Sequence, residues 1–195
     1  MTNESVISVP RDEFNRSLLA LHNRVFSQAE DSLILEDMLR PFVDSSWEAI
    51  LVSGDIFTFD EAVFAALAGA AMKMGDDRMI VTESETLPHY GDTLQIIWDQ
   101  AVVESLRGVS YIAGMELHVY GQSGTWGLMC YLNDFSLLGG TPAFMTAYLE
   151  AVGGRERART QFIAYAADAW FEIPPMKQVQ ILKRVGWSFD DAQRE

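Results

Sequence analysis

YIAGMELHVYGQSGTWGLMCYLNDFSLLGGTP, residues 111–142, is the stretch that decides the fold. From Tyr111 onward the apolar residues recur with a period of two, which predicts strands over 111–120, 125–132 and 135–138. Gly121–Gly124 and Asn133-Asp134 are tight-turn sequences, so the three strands join as a meander. Gly139-Gly140 ends the last strand. Thr141-Pro142 then opens a helix through Val152, because proline at a first helical position gives up no hydrogen bond. Alternation puts Trp126, Leu128, Cys130 and Leu132 on one face of the middle strand, the face expected against a core. On the first strand, Met115, Leu117 and Val119 oppose Glu116, His118 and Tyr120, and the latter face is expected to be polar and solvated.

Working towards the N-terminus, WEAILVS (residues 47–53) has the length and composition of a strand, followed by a turn at Gly54-Asp55. Thr58 and Glu61 have the spacing of a capping box and open an apolar helix to about Met74, which Gly75-Asp76-Asp77 stops. A strand over Met79–Thr82 completes a β-α-β unit, with its two strands parallel or neighbouring. The polar loop 84–92 leads to 93–106 (TLQIIWDQAVVESL), whose apolar spacing fits a helix better than alternation. Pro10 starts an amphipathic helix near 10–29 carrying Phe14, Leu18, Leu21, Val25 and Ala29. Asp31 caps a shorter one with Leu35, Met38 and Leu39, which Pro41 ends.

Towards the C-terminus, residues 155–171 carry Phe162, Tyr165, Ala166, Ala169 and Trp170 inward. After Pro174-Pro175 a further helix presents Val179, Leu182 and Val185 as its inner stripe, up to Gly186, and Ser188 and Asp191 are placed to cap one last turn. The expectation is therefore an α+β fold in a single domain. It has a mixed sheet of about five strands, N-terminal helices over 1–43, a sheet-containing core over 44–152 and C-terminal helices over 153–195.

Charge is unevenly distributed. Residues 41–154 hold fifteen Asp and Glu against Lys73, Arg78 and Arg107, a local net of −12 within a total of −14. Such a field repels nucleic acid and anionic membranes and attracts basic partners. A chain of 195 residues buries roughly 70% of its extended surface, enough to fold without metal or disulfide staples. The single cysteine, Cys130, points to a reducing compartment. With no apolar run of spanning length and no signal-peptide pattern, a cytoplasmic location is expected.

Four groups of residues merit consideration as sites. The acids Asp55, Asp76, Asp77, Glu83, Glu85 and Asp92 gather around the loops of the β-α-β unit, with His89 and Tyr90 as less charged anchors. They read as a docking rim for a basic protein. Glu116, His118 and Tyr120 are the weak catalytic candidates, a carboxylate two residues from an imidazole. Gly139, Gly140 and Thr141 form a strand–glycine–helix turn that can cradle an anion, although the lysine of a P-loop and the third glycine of a dinucleotide fingerprint are missing. A plain capped turn is the stronger reading. Arg155, Arg157 and Arg159 are expected to pair with the acidic body of the same chain or of a second copy. Cys130 reads as core, GQSGT at 121–125 as a hairpin turn, and neither a metal site nor a cofactor motif is found.

The sequence thus favours a non-enzymatic acidic binding protein. In size and charge it is similar to the bacterial immunity proteins that neutralise a toxic enzyme, and three Lys against eleven Arg fits a GC-rich bacterial genome. The alternatives are a small-molecule-binding protein or hydrolase using the face around His118, and a subunit of a homo-oligomer associating through its C-terminal helices.

Overall fold

The computed structural model describes residues 5–27, 41–83, 93–106, 117–131, 135–170 and 173–188. In chain order these form β1 (Val6–Val9), α1 (Arg11–Ser17), α2 (Leu19–Val25), β2 (Glu48–Ser53), α3 (Glu61–Lys73), β3 (Arg78–Glu83) and β4 (Thr93–Ile97). They continue with α4 (Gln100–Ser105), β5 (Leu117–Gly121), β6 (Trp126–Tyr131), β7 (Phe135–Gly140), α5 (Pro142–Val152), α6 (Arg155–Ala169) and α7 (Pro175–Arg184). The strands make one seven-stranded sheet in the order β1-β4-β3-β5-β6-β7-β2, every neighbouring pair antiparallel. The fold is α+β, as expected, and β5-β6-β7 is the expected meander. The sheet is antiparallel rather than mixed, and larger than five strands.

One of those strands, β4, replaces expected helix, and β1 stands where no strand was expected. In 93–106 the ladder to β3 and β1 outweighs the helical spacing of Leu94, Ile97 and Trp98, burying Leu94 and Ile96 on one side of β4. The helix starts only after Asp99, whose carboxylate accepts from the N–H groups of Ala101 and Val102. Pro10 does precede a helix, but β1 comes before it as an edge strand, a break at Leu18 divides the helix, and α2 ends at Val25. Four antiparallel steps separate β3 from β2, so the strands of the β-α-β unit run the same way with three others between them. They are not neighbours. The capping box is also replaced: Asp60, not Thr58, caps α3 by accepting from Val63 N–H, while the Thr58 hydroxyl closes the preceding turn against Asp55. On α7 the inner residues are Ile181 and Leu182, and Val179 faces outward at 57% exposure. The expected helix at 31–39, residues 111–116 of the first meander strand, Leu132 and Asp191 lie outside the described residues.

Both faces of the sheet are covered, which is why β6 and β7 are apolar and buried along their whole length. On one face lie α3 and α5, with Trp126 stacked on Phe144 (ring centroids 5.3 Å apart) and Trp98 edge-on to Phe64. Among the C-terminal helices Phe162 meets both Trp170 and Trp187, and Trp170 lies edge-on to Phe135 of β7. On the other face lies the N-terminal segment. Gly127 and Gly139 pair directly across β6 and β7, and their missing side chains admit it. A Cβ on Gly127 would come within 2.6 Å of Val25 Cγ1 and 3.0 Å of Phe26 Cζ, and one on Gly139 within 2.7 Å of Phe42 Cδ2. Phe26 and Phe42, bridged through their backbones, thus bind the chain start to the sheet.

Candidate functional site

Three places gather polar side chains in the interior. The first lies under the N-terminal segment. His118, on β5, is 6% exposed, and His22, on α2, is 2% exposed. Their Nδ1 and Nε2 atoms are 2.8 Å apart, one donating and the other accepting, while the Phe26 ring lies flat on His118 at 4.0 Å. Burial, and then the neighbouring imidazole, hold the pKa of His118 well below the ordinary histidine value of 6.5. Tyr120 packs edge-on to His22 and Phe26. Its hydroxyl is buried with no hydrogen-bond partner among the described residues, and burial raises its pKa. The face expected to be solvated is therefore interior, because the N-terminal helix folds over it. Sealed under Phe26, the pair is a packed hydrogen bond. Glu116, the third member of the catalytic candidate, lies outside the described residues.

The second place is at the start of β3. Asp76, 2% exposed, accepts from Ser123 N–H (2.7 Å), Ser123 Oγ (2.7 Å) and Trp126 Nε1 (2.8 Å), and its backbone carbonyl accepts from Trp98 Nε1. Gly121 leaves room for it, since a Cβ there would strike the Asp76 carboxylate. One aspartate thus fastens the end of α3 to the β5-β6 hairpin and to two tryptophans. It is a structural staple, not part of an exposed rim.

The third place is a cleft of about 780 Å³ at the end of β2, walled by α3, α5 and α6. Asp55, 5% exposed, lies in its lining. One carboxylate oxygen accepts from Phe57 N–H at 2.8 Å, and the other takes no hydrogen bond from any described residue. Tyr148, 2% exposed, lines the cleft with its hydroxyl likewise unbonded among the described residues. Burial, then the charge of Asp60, raise its pKa above the ordinary phenol range. Asp60 stands exposed at the mouth. Phe57, Phe162 and Tyr165 supply aromatic walls, and no Lys or Arg is among the lining residues. His118 and Tyr120 line neither this cleft nor a smaller one of about 330 Å³ beside Trp47 and Arg155.

Of the acids read as one docking rim, Asp55 and Asp76 are set apart. Because β2 and β3 run the same way, Asp55 after β2 and Asp76 before β3 lie at opposite ends of the sheet, and both are buried. Asp77 is exposed, Glu83 is the last residue of β3, and Glu85, His89, Tyr90 and Asp92 lie outside the described residues. What the structure does gather is another set. Gln100 Nε2 donates to Phe59 O and to Glu104 Oε1, bringing exposed Glu104 to the edge where exposed Asp60 and Glu61 open α3.

The glycine turn is occupied. Phe42 fills the space over Gly139, Phe144 that over Gly140, and the Thr141 N–H donates to Thr125 O while its hydroxyl caps α5. Cys130 is buried opposite Ser136, its thiol pushed up to about 12 chiefly by that burial, which leaves it protonated and unreactive. Arg155 pairs with Glu48 of β2 and Arg159 with Glu156, the first an ion pair with the acidic body of the same chain. Among the described residues no three His, Cys, Asp or Glu converge as a metal would require, and no helix is long and apolar enough to cross a membrane.

Two of these features had a signal in the sequence. His22 sits four residues after Leu18 and three before Val25, on the buried stripe of its helix, which marks it as interior. Asp55 follows directly on a strand and Gly54, the position where an Asx turn is favoured, so its inward carboxylate was readable from turn chemistry. No family model, curated protein or solved structure matches the chain.

Proposed function

We propose that this chain is a non-enzymatic binding protein that recognises a basic protein partner, in the manner of an inhibitor that neutralises a cationic enzyme. The observation that carries this reading is the exposed pair Asp60 and Glu61 at the start of α3, with Glu104 held by a Gln100 that also reaches Phe59 O, beside a cleft lined by carboxylates and by no basic side chain. Together with the net charge of −14, these acids give a negative field that accelerates encounter with a cation. An apolar wall next to such a field supplies the short-range contacts that slow dissociation. Two arginines of the Arg-bearing segment are engaged by carboxylates of the same chain, Arg155 by Glu48 on β2 and Arg159 by Glu156.

The test is capture from a lysate of the source cells on the immobilised full chain at low salt, with elution by a salt gradient and identification by mass spectrometry. A basic protein released at moderate salt, and captured less by the double variant Glu61→Lys, Glu104→Lys, is the expected result. Neutral or acidic proteins on the column, or equal capture by the variant at low ionic strength, sink the reading.

A further inference from the structure

We infer that the cleft at the end of β2 is the seat of an arginine side chain donated by that basic partner, an inference that rests on the binding reading above and gives it a site. A carboxylate withdrawn from water is costly unless it is paired. Asp55 is only 5% exposed, yet only one of its oxygens is bonded among the described residues, and no Lys or Arg lines the cleft to pair with the other. Tyr148, 2% exposed, lines the same cleft, and its hydroxyl has no hydrogen bond among the described residues. Two such groups converging on one open cavity are a recognition surface for a donor that comes from outside.

The chemistry of the walls selects the donor. Asp55 within and Asp60 at the mouth offer carboxylate acceptors at two depths, and Phe57, Phe162 and Tyr165 offer ring faces. A guanidinium suits both, since its planar fork donates several N–H bonds while its face stacks on aromatic rings. An ammonium is a more strongly hydrated point charge and matches only the carboxylates. At about 780 Å³ the cavity holds an arginine side chain with the partner's backbone across its mouth. The same lining rejects anions, because it presents no cationic side chain.

The probe is a blocked arginine (acetyl-arginine-amide) titrated into the full chain at low salt, with amide NMR shifts as the readout. Blocked lysine and blocked citrulline, the neutral isostere, are titrated in parallel. Saturable shifts at Gly54, Thr58, Val63 and Gln161 are expected with arginine, weaker ones with lysine and none with citrulline. Asp55→Asn should weaken arginine binding by more than about tenfold. Asp60→Asn, at the exposed mouth, should weaken it by about two- to fivefold without disturbing the remaining spectrum, so it decides the matter if the Asp55 variant fails to fold. Citrulline binding as well as arginine, shifts located elsewhere, or no shifts at all overturn the inference. If the peptide is silent while a basic protein is still captured equally by wild type and Asp60→Asn, the seat is wrong and the binding reading stands. If arginine binds but no basic protein is captured, the cation seat stands and the protein-binding reading falls.

Discussion

Asp76 and Asp55 are both buried aspartates at the ends of one sheet, and the fold treats them in opposite ways. Asp76 accepts three side-chain or backbone hydrogen bonds at 2.7–2.8 Å from a hairpin and a tryptophan, so its charge is fully employed within the chain. Asp55 accepts one, from its own turn, and its other oxygen is left beside a cleft. The same contrast separates the imidazoles of His22 and His118, which satisfy each other, from the Tyr148 hydroxyl, which lines the cleft unbonded among the described residues. Where polar interior groups are satisfied internally they stabilise the fold, whereas Asp55 and Tyr148 line an open cleft.

The contrast can be tested by substitution, beginning with the largest effect. Asp76→Ala leaves the Ser123 N–H, the Ser123 hydroxyl and the Trp126 indole N–H without their acceptor, and should cost about 3 kcal/mol of stability by urea unfolding. A loss under about 1 kcal/mol would place Asp76 with Asp55 and dissolve the distinction.

The histidine pair gives a pH signature. His118 binds its proton less readily folded than unfolded, so its contribution is complete above the unfolded value of 6.5 and is lost as the pH falls below it towards the lowered folded value. Stability should then decline by at most about 1.4 kcal/mol per pH unit for this one proton. His118→Gln, which does not titrate, should flatten the decline measured by unfolding between pH 7 and 5, roughly the span over which an unfolded histidine titrates. An unchanged slope would mean the pair is not linked to folding.

Asp55→Asn keeps an acceptor for Phe57 N–H and removes a charge without a counter-charge in the cleft, so thermal unfolding should show a change within about 1 kcal/mol. A loss as large as that of Asp76→Ala would show the second oxygen to be structurally engaged. Tyr148→Phe removes a hydroxyl with no hydrogen bond to lose, and should alter stability by no more than about 0.5 kcal/mol while still weakening arginine binding in the titration above.

How much was legible follows from the range of each interaction. β2, α3, β3, α5, α6 and α7 and the β5-β6-β7 meander follow from local signals: WEAILVS, the apolar run after Glu61, the Gly75 stop, Thr141-Pro142 and Pro174-Pro175. Strand β4 was not legible, because TLQII carries an apolar spacing that a helix also fits and only the ladders to β1 and β3 decide between them. The acidic cluster in the sequence was misleading for the same reason. Neighbours along the chain such as Asp76 and Asp77 part company once one turns inward, while Gln100, bonded to Glu104, reaches the carbonyl of Phe59 next to Asp60.

The sequence by itself determined the class of the fold, the places of α3, α5, α6 and α7, the meander and the strong negative charge, since each depends on contacts within a few residues or on composition alone. Only the tertiary structure decided which polar groups are interior. That His22 meets His118, that Asp76 meets Ser123 and Trp126, and that Asp55 faces a cleft are consequences of strand order and of the N-terminal segment closing over the glycines of β6 and β7. These are long-range contacts, and burial is set by everything that packs around a residue, which no local pattern records.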